Sequence, residues 1–261
     1  MLSDELREEI SVVLAHAERD RAPVPPLRRT WPDLDVVDAY EIQLRTVRRR
    51  LAGGATVRGH KVGLSSEAMQ QMMGVDEPDY GHLLSDMECF QDRPVRSDAY
   101  CYPRVEVEVG FVLGSALPGT GCTGDDVLAA TEHVAPAIEL IDSRIADWDI
   151  RIADTIADNA SSAGFVLGGG RARPDELDLT GIEAVLQRNG EQVAEGRSDA
   201  VLGNPVTAVA WLARKVAGFG VTLEAGHVVL PGSVHRAIDV RPGDSFRAEL
   251  DGLGTVTLDF D

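Results

Sequence analysis

The sequence predicts an α+β protein: a β-rich body over residues 56–261 and an N-terminal helical region, residues 1–55, packed on it. Three observations lead there. In the first 55 residues apolar positions recur every three or four places, the spacing of a helix face. After residue 56 they come in short runs and alternations, punctuated by turn dipeptides. Apolar residues make up 44% of the 261, enough for a sizeable core.

Residues 3–19 put Leu6, Ile10, Val13, Leu14 and Ala17 on one helix face, and Pro23-Val24-Pro25-Pro26 breaks that helix. A second helix over 35–52 carries Val37, Tyr40, Leu44, Val47 and Leu51, and Gly53-Gly54 ends it. TVRGHKVGL, from residue 56, reads as a strand. SSEAMQQMMG reads as a short helix whose Met69, Met72 and Met73 suit core filling better than a binding box. VDEPDYGHLLSDM reads as a loop. Strands are expected at 104–113, 136–142, 163–168, 184–188, 192–196, 227–230, 244–250 and 254–260. Asn189-Gly190 and Asp251-Gly252 mark two hairpins. Helices are expected at 124–133, 145–156 and 205–217, the last capped by Asn204 with Pro205 in its first position.

The charge balance narrows the function. The net charge is -18, and no basic stripe offers a nucleic-acid surface. No run approaches the roughly 18 to 20 apolar residues of a membrane span. MLSDELREEI lacks the basic and apolar regions of a signal peptide. Cys89, Cys101 and Cys122 are odd in number and lack metal-ligand spacing. A soluble, cytoplasmic protein is the expectation. Only Lys61 and Lys215 among the 25 basic residues are lysines. Arginine bias accounts for the scarcity, but a surviving lysine can mark a place that needs a compact, proton-exchanging ammonium. Lys215 sits near a helix C-terminus, which favours any cation. Lys61 has no such explanation.

Arg104-Val105-Glu106-Val107-Glu108-Val109 is the most informative segment. Side chains alternate along a strand, so Glu106 and Glu108 share a face and start about 7 Å apart. A solvated outer face is one explanation; a bound cation is the other. The following Val109-Gly110-Phe111-Val112-Leu113 carries the strand into a core. In Ala135-Pro136-Ala137-Ile138-Glu139-Leu140-Ile141-Asp142 a glutamate interrupts an apolar strand, and burying it unpaired is costly. Glu139 needs an arginine, a proton or a metal. Three carboxylates suit a hard cation such as Mg2+ or Mn2+.

These segments form a set with Gly59-His60-Lys61-Val62-Gly63-Leu64, Gly74-Val75-Asp76-Glu77-Pro78-Asp79-Tyr80-Gly81, Ile138-Glu139-Leu140-Ile141-Asp142-Ser143-Arg144 and Asp154-Thr155-Ile156-Ala157-Asp158-Asn159-Ala160-Ser161-Ser162. The set resembles the fumarylacetoacetate hydrolase superfamily. Within it, the match is to the branch of 2-keto-4-pentenoate (2-hydroxypenta-2,4-dienoate) hydratases and 4-oxalocrotonate decarboxylases, and it covers nearly the whole chain. The resemblance implies a mixed β-sandwich or roll with peripheral helices. It implies Mg2+ or Mn2+ on Glu106, Glu108 and Glu139, with Lys61 and Asp79 near the substrate. It also implies a homo-oligomer serving aromatic meta-cleavage catabolism, with a neighbouring pathway enzyme as a further candidate partner.

Val229-Leu230-Pro231-Gly232-Ser233-Val234-His235-Arg236-Ala237 is closer to the hydratase version because of Arg236. His235 departs from the threonine of the resembled pattern, which bears on the substrate. The expected reaction is addition of water to a 2-hydroxy-2,4-dienoate, giving a 4-hydroxy-2-oxo acid. The alternatives are decarboxylation of a 2-oxo-enedioate and a non-catalytic complex partner. Lys61 is expected to aid proton transfer, or to form a plain salt bridge. Asp79 orients water or moves a proton, or is a turn residue. Ser161 and Ser162 bind the substrate carboxylate, or cap a turn. Arg236 pairs with an acidic group of the substrate or of the surface. His60 points to the face opposite Lys61, as packing.

Overall fold

The structure is a computed structural model, and it describes residues 1–66, 70–71, 75 and 77–261. The short methionine-bearing helix expected over 65–74 falls mainly outside the described residues.

Two long helices open the chain. α1 (Asp4–Asp20) starts at Ser3, whose hydroxyl accepts from the Leu6 N–H. The four-residue α2 (Leu27–Thr30) leads to α3 (Val36–Ala52), which starts at Asp35 accepting from the Asp38 N–H. Each cap satisfies a backbone donor that has no partner inside its helix. Ile10 and Leu14 of α1 and Tyr40, Ile42 and Leu44 of α3 join one continuous core with the strands.

A mixed seven-stranded sheet forms the centre. Its strands are β1 (Val57–Gly63), β2 (Asp79–Leu84), β3 (Arg104–Leu113), β4 (Thr131–Ile141), β5 (Ser162–Leu167), β8 (Val228–Leu230) and β9 (Ile238–Asp239). The order is β2-β1-β8-β3-β4-β5, with β9 also pairing β3. β1 and β8 run parallel; the other pairs are antiparallel. A second sheet, in the order β11-β10-β6-β7, packs against β4 and β5. It contains β6 (Glu183–Arg188), β7 (Glu191–Arg197), β10 (Ser245–Leu250) and β11 (Gly254–Asp259). β10 alternates, with Phe246, Ala248 and Leu250 buried and Ser245, Arg247 and Glu249 exposed. That is the pattern of a sheet wet on one side.

Helices α4 (Gly124–Ala130), α5 (Ile152–Ala157) and α6 (Pro205–Ala217) complete the fold. The helix expected at 124–133 stops at Ala130 because Thr131 and His133 pair with Leu113 and Val112 as the start of β4. The one expected at 145–156 is broken: Asp147 and Trp148 adopt left-handed backbone angles, and the Asp149 carbonyl accepts from Arg28 Nη1. The segment expected as a loop contains β2, all six of whose residues are buried. Asp79 is therefore a strand residue, not a turn residue. Lys215 does more than end a helix: its Nζ donates to Glu77 Oε2 at 2.7 Å and lies over the Tyr80 and Trp211 rings. Among the described residues no helix is long and apolar enough to cross a membrane.

Candidate active site

β3 and β4 pair in a register that sets Glu106 directly opposite Glu139 and Glu108 opposite Ala137. All three glutamates point to one face, as alternation requires. Each offers an oxygen, and the three oxygens lie within 4.8 Å of one another. Glu108 and Glu139 are fully buried; Glu106 is half-buried and opens onto a cavity. The Gly232 N–H donates to Glu108 Oε2 at 2.6 Å. Glu108 Oε1 and both oxygens of Glu139 have no formed hydrogen bond.

Carboxylates packed this closely resist ionising together. Burial, then Glu139 and Glu106, pushes Glu108 well above the usual carboxylate range. Burial pushes Glu106 up to about 7, against the pull of Lys61. Burial raises Glu139 too, with Lys61 opposing. Unpartnered buried oxygens, all from hard donors and close enough to share one ion, fit a divalent cation.

Lys61, on β1, reaches the same place. Its Nζ donates to the Ala160 carbonyl at 2.9 Å and lies 3.5 Å from Glu139 and 3.9 Å from Asp79. Burial alone would push Lys61 down, but Glu139, Asp79, Glu106 and Glu108 together outweigh it and hold the ammonium charged. Burial pushes Asp79 up, opposed by Lys61, the Thr155 hydroxyl and the Gly63 N–H. The Ala160 carbonyl is presented by three successive left-handed residues, Asn159, Ala160 and Ser161. Such a turn is strained for residues with a side chain. Asn159 holds it by accepting from the His82 N–H and donating to the His82 carbonyl.

A cavity of about 540 Å3 reaches this cluster at Lys61, Asp79 and Glu106; Glu108 and Glu139 do not line it. Its walls include Lys61, Asp79, Glu106, Ser161 and Arg236 from the sequence reading. Ser162 is not among them. Its hydroxyl sits beside Glu139 and helps hold that charge, short of a formed hydrogen bond. Arg236 is exposed at the cavity wall. His60 lies on the far face of β1, its ring tilted against those of His82 and His227. Thr155, Trp148 and Arg104 also line the cavity and carry no roles in the sequence reading. Arg104 is spent on Asp239, at 2.8 Å, and on the Trp148 ring.

Residues 90–260 match the model of the fumarylacetoacetate (FAA) hydrolase C-terminal family. The chain belongs to the fumarylacetoacetate hydrolase family. Its relatives sharpen the picture. It is 42% identical over 260 residues to the 2-keto-4-pentenoate hydratase of Paraburkholderia xenovorans (strain LB400), covering 100% of this chain and 97% of that one. It is 42% identical over 253 residues to the 2-oxo-hept-4-ene-1,7-dioate hydratase of Escherichia coli, covering 95% of each. These relatives are hydro-lyases. The fold of this fumarylacetoacetate hydrolase family member superimposes on the 4-oxalocrotonate decarboxylase from Pseudomonas putida G7, complexed with magnesium and adipate. The TM-score is 0.97 at 34% identity, covering 100% of this chain and 99% of that one.

Proposed function

We propose that this chain is a divalent-metal-dependent hydratase that adds water to a 2-hydroxy-2,4-dienoate and releases a 4-hydroxy-2-oxo acid. The observation that carries the proposal is the trio Glu106, Glu108 and Glu139, in which Glu108 and Glu139 keep unpartnered oxygens and Glu106 opens onto a cavity lined also by Lys61 and Asp79. Greater identity to hydratases than to the decarboxylase favours hydration.

In this reading the three glutamates would hold Mg2+ or Mn2+, which would supply Lewis acidity toward the oxyanionic end of the substrate. Lys61, kept as an ammonium, binds the same oxyanionic end. Ser161 donates its hydroxyl to the substrate carboxylate. Asp79 exchanges protons at Oδ1, serving the shift of the dienol to the 2-oxo-3-enoate. Water then adds at C4 and a proton at C3, so the net change is one H2O gained. Arg236 meets the distal end of the substrate. The same reading carries a homo-oligomer acting on ring-cleavage products of aromatic compounds.

The test is turnover of 2-hydroxypenta-2,4-dienoate with Mg2+ or Mn2+, against EDTA-treated protein and Glu106→Gln. We expect activity that EDTA and the substitution both abolish. Full turnover by stripped protein would sink the metal mechanism. The second reading rests on the likeness to the decarboxylase. It is preferred if a 2-oxo-enedioate yields CO2 and the dienoate is not hydrated.

A further inference from the structure

Asp79 has two unequal oxygens. Oδ2 accepts a 2.8 Å hydrogen bond from Thr155 Oγ1. Oδ1 has no formed hydrogen bond and faces Lys61 Nζ at 3.9 Å. Gly63 keeps that side open, since a Cβ there would run into Oδ1 and Lys61 Nζ. The two ends of one carboxyl are thus built differently: Oδ2 is tied to Thr155, and Oδ1 faces Lys61 Nζ and the Gly63 backbone with no formed hydrogen bond among the described residues.

The tie has a fixed direction. An ionised carboxylate has no proton to give, so the threonine hydroxyl donates. Ser161 Oγ lies 3.5 Å from that hydroxyl, at the limit of a hydrogen bond, so its own proton can still turn to the substrate. Thr155 and Ser161 both line the cavity and come from different elements, α5 and the left-handed turn. α5 is itself pinned. Arg28 Nη1 donates to Asp154 at 2.7 Å, and Gln43 Nε2 donates to the Ile156 carbonyl at 2.7 Å. A carboxyl turns easily about its last bond. A hydroxyl on a pinned helix stops that turning.

We propose that Thr155 is a positioning residue that anchors Oδ2 of Asp79 and so commits Oδ1 to the substrate beside Lys61. This rests on the hydratase reading for its substrate. Thr155 acts through Asp79, so its loss slows the proton transfers and leaves substrate binding nearly intact.

The test uses Thr155→Val, which keeps the shape and removes the hydroxyl, and Thr155→Ser, which keeps the hydroxyl. Thr155→Ala is a second hydroxyl-free variant should the valine protein fail to fold. Each is measured with saturating Mg2+ for kcat and KM on 2-hydroxypenta-2,4-dienoate. Exchange of the C3 hydrogens of 2-oxopentanoate in D2O is followed by NMR in parallel. We expect the hydroxyl-free variants to lose about tenfold to a hundredfold in kcat and in exchange rate, the worth of one hydrogen bond to a charged group. KM should stay within about threefold, and serine should restore kcat to within about threefold of the parent. Wild-type kcat in Thr155→Val overturns the proposal. So does a serine variant as slow as the valine one, or a loss carried by KM. If the parent exchanges C3 hydrogens but does not hydrate the dienoate, the hydratase reading fails and exchange alone decides the role of Thr155. If the parent does neither, both fall.

Discussion

Glu139 and Arg144 stand five residues apart in the sequence and are both buried, yet their charges meet opposite surroundings. Arg144 lies in a closed cluster. Its Nε donates to Asp158 Oδ1 at 2.6 Å, its backbone N–H to Asp158 Oδ2, and Nη1 to the Asp142 carbonyl. The Asp142 carboxylate accepts from the N–H groups of Cys101 and Tyr102. Glu139 lies in an open cluster, where Glu106, Glu108, Glu139 and Asp79 surround the Lys61 ammonium. The closed set ties β4 to the segment before β5. The open set holds more carboxyl groups than the one ammonium beside them can balance, and burial holds their pKa values up. At similar depth, satisfied charge marks architecture and unsatisfied charge marks a place kept for something brought from outside.

Glu139→Gln breaks the open cluster with the largest expected effect. Turnover should fall on the order of a thousandfold, since it removes one of the proposed ligands of the Lewis acid. Without metal, the variant should melt no lower than the parent, because a buried negative charge has gone. A large drop in the metal-free Tm would erase the distinction between the clusters. Arg144→Leu breaks the closed cluster. It leaves Asp158 buried and unpaired, and should cost about 3–5 kcal/mol in denaturant unfolding. An unchanged midpoint would show that the hydrogen bonds around Arg144 are dispensable.

The smallest effect sharpens the comparison through pH. Burial raises the folded-state pKa of Glu106 to about 7, above its unfolded value. The metal-free folded form therefore holds a proton that an unfolded chain has lost between about pH 4.5 and 7. The stability tied to that proton is present below about pH 4.5 and is lost as pH rises toward 7. A cation must displace the same proton. Its apparent affinity, read by calorimetry, should rise about tenfold per pH unit per displaced proton, with the part due to Glu106 ending near pH 7. A flat profile from pH 5 to 8 would mean that Glu106 is not a ligand.

Much of this contrast was legible in the sequence. β3 and α6 have the expected bounds, because their valine alternation and Asn-Pro cap are strong local signals. Glu139 stood out as a lone charge in an apolar strand. β2 was missed because a strand buried on both faces has no alternation to show, and Asp79 and His82 within it read as polar loop. The break at Asp147 and Trp148 depends on Arg28, which lies more than a hundred residues away in sequence. Thr155 carries no signal of its own in the sequence, since a hydroxyl has neither charge nor period to mark it. Its role is visible only where Asp79 comes to meet it.

The alignment of Glu106 with Glu139 also bears on how the chain assembles. Apolar strands such as β3 and β4 can zip together with several neighbouring offsets. An offset of one residue would carry Glu139 to the other face, away from Lys61 and among side chains with no use for it. An offset of two would keep the face and pull Glu139 away from its place opposite Glu106. Only the correct zip brings the three carboxylates together, so a divalent ion held there during folding would reward one alignment and act as a proofreader for the central strand pair.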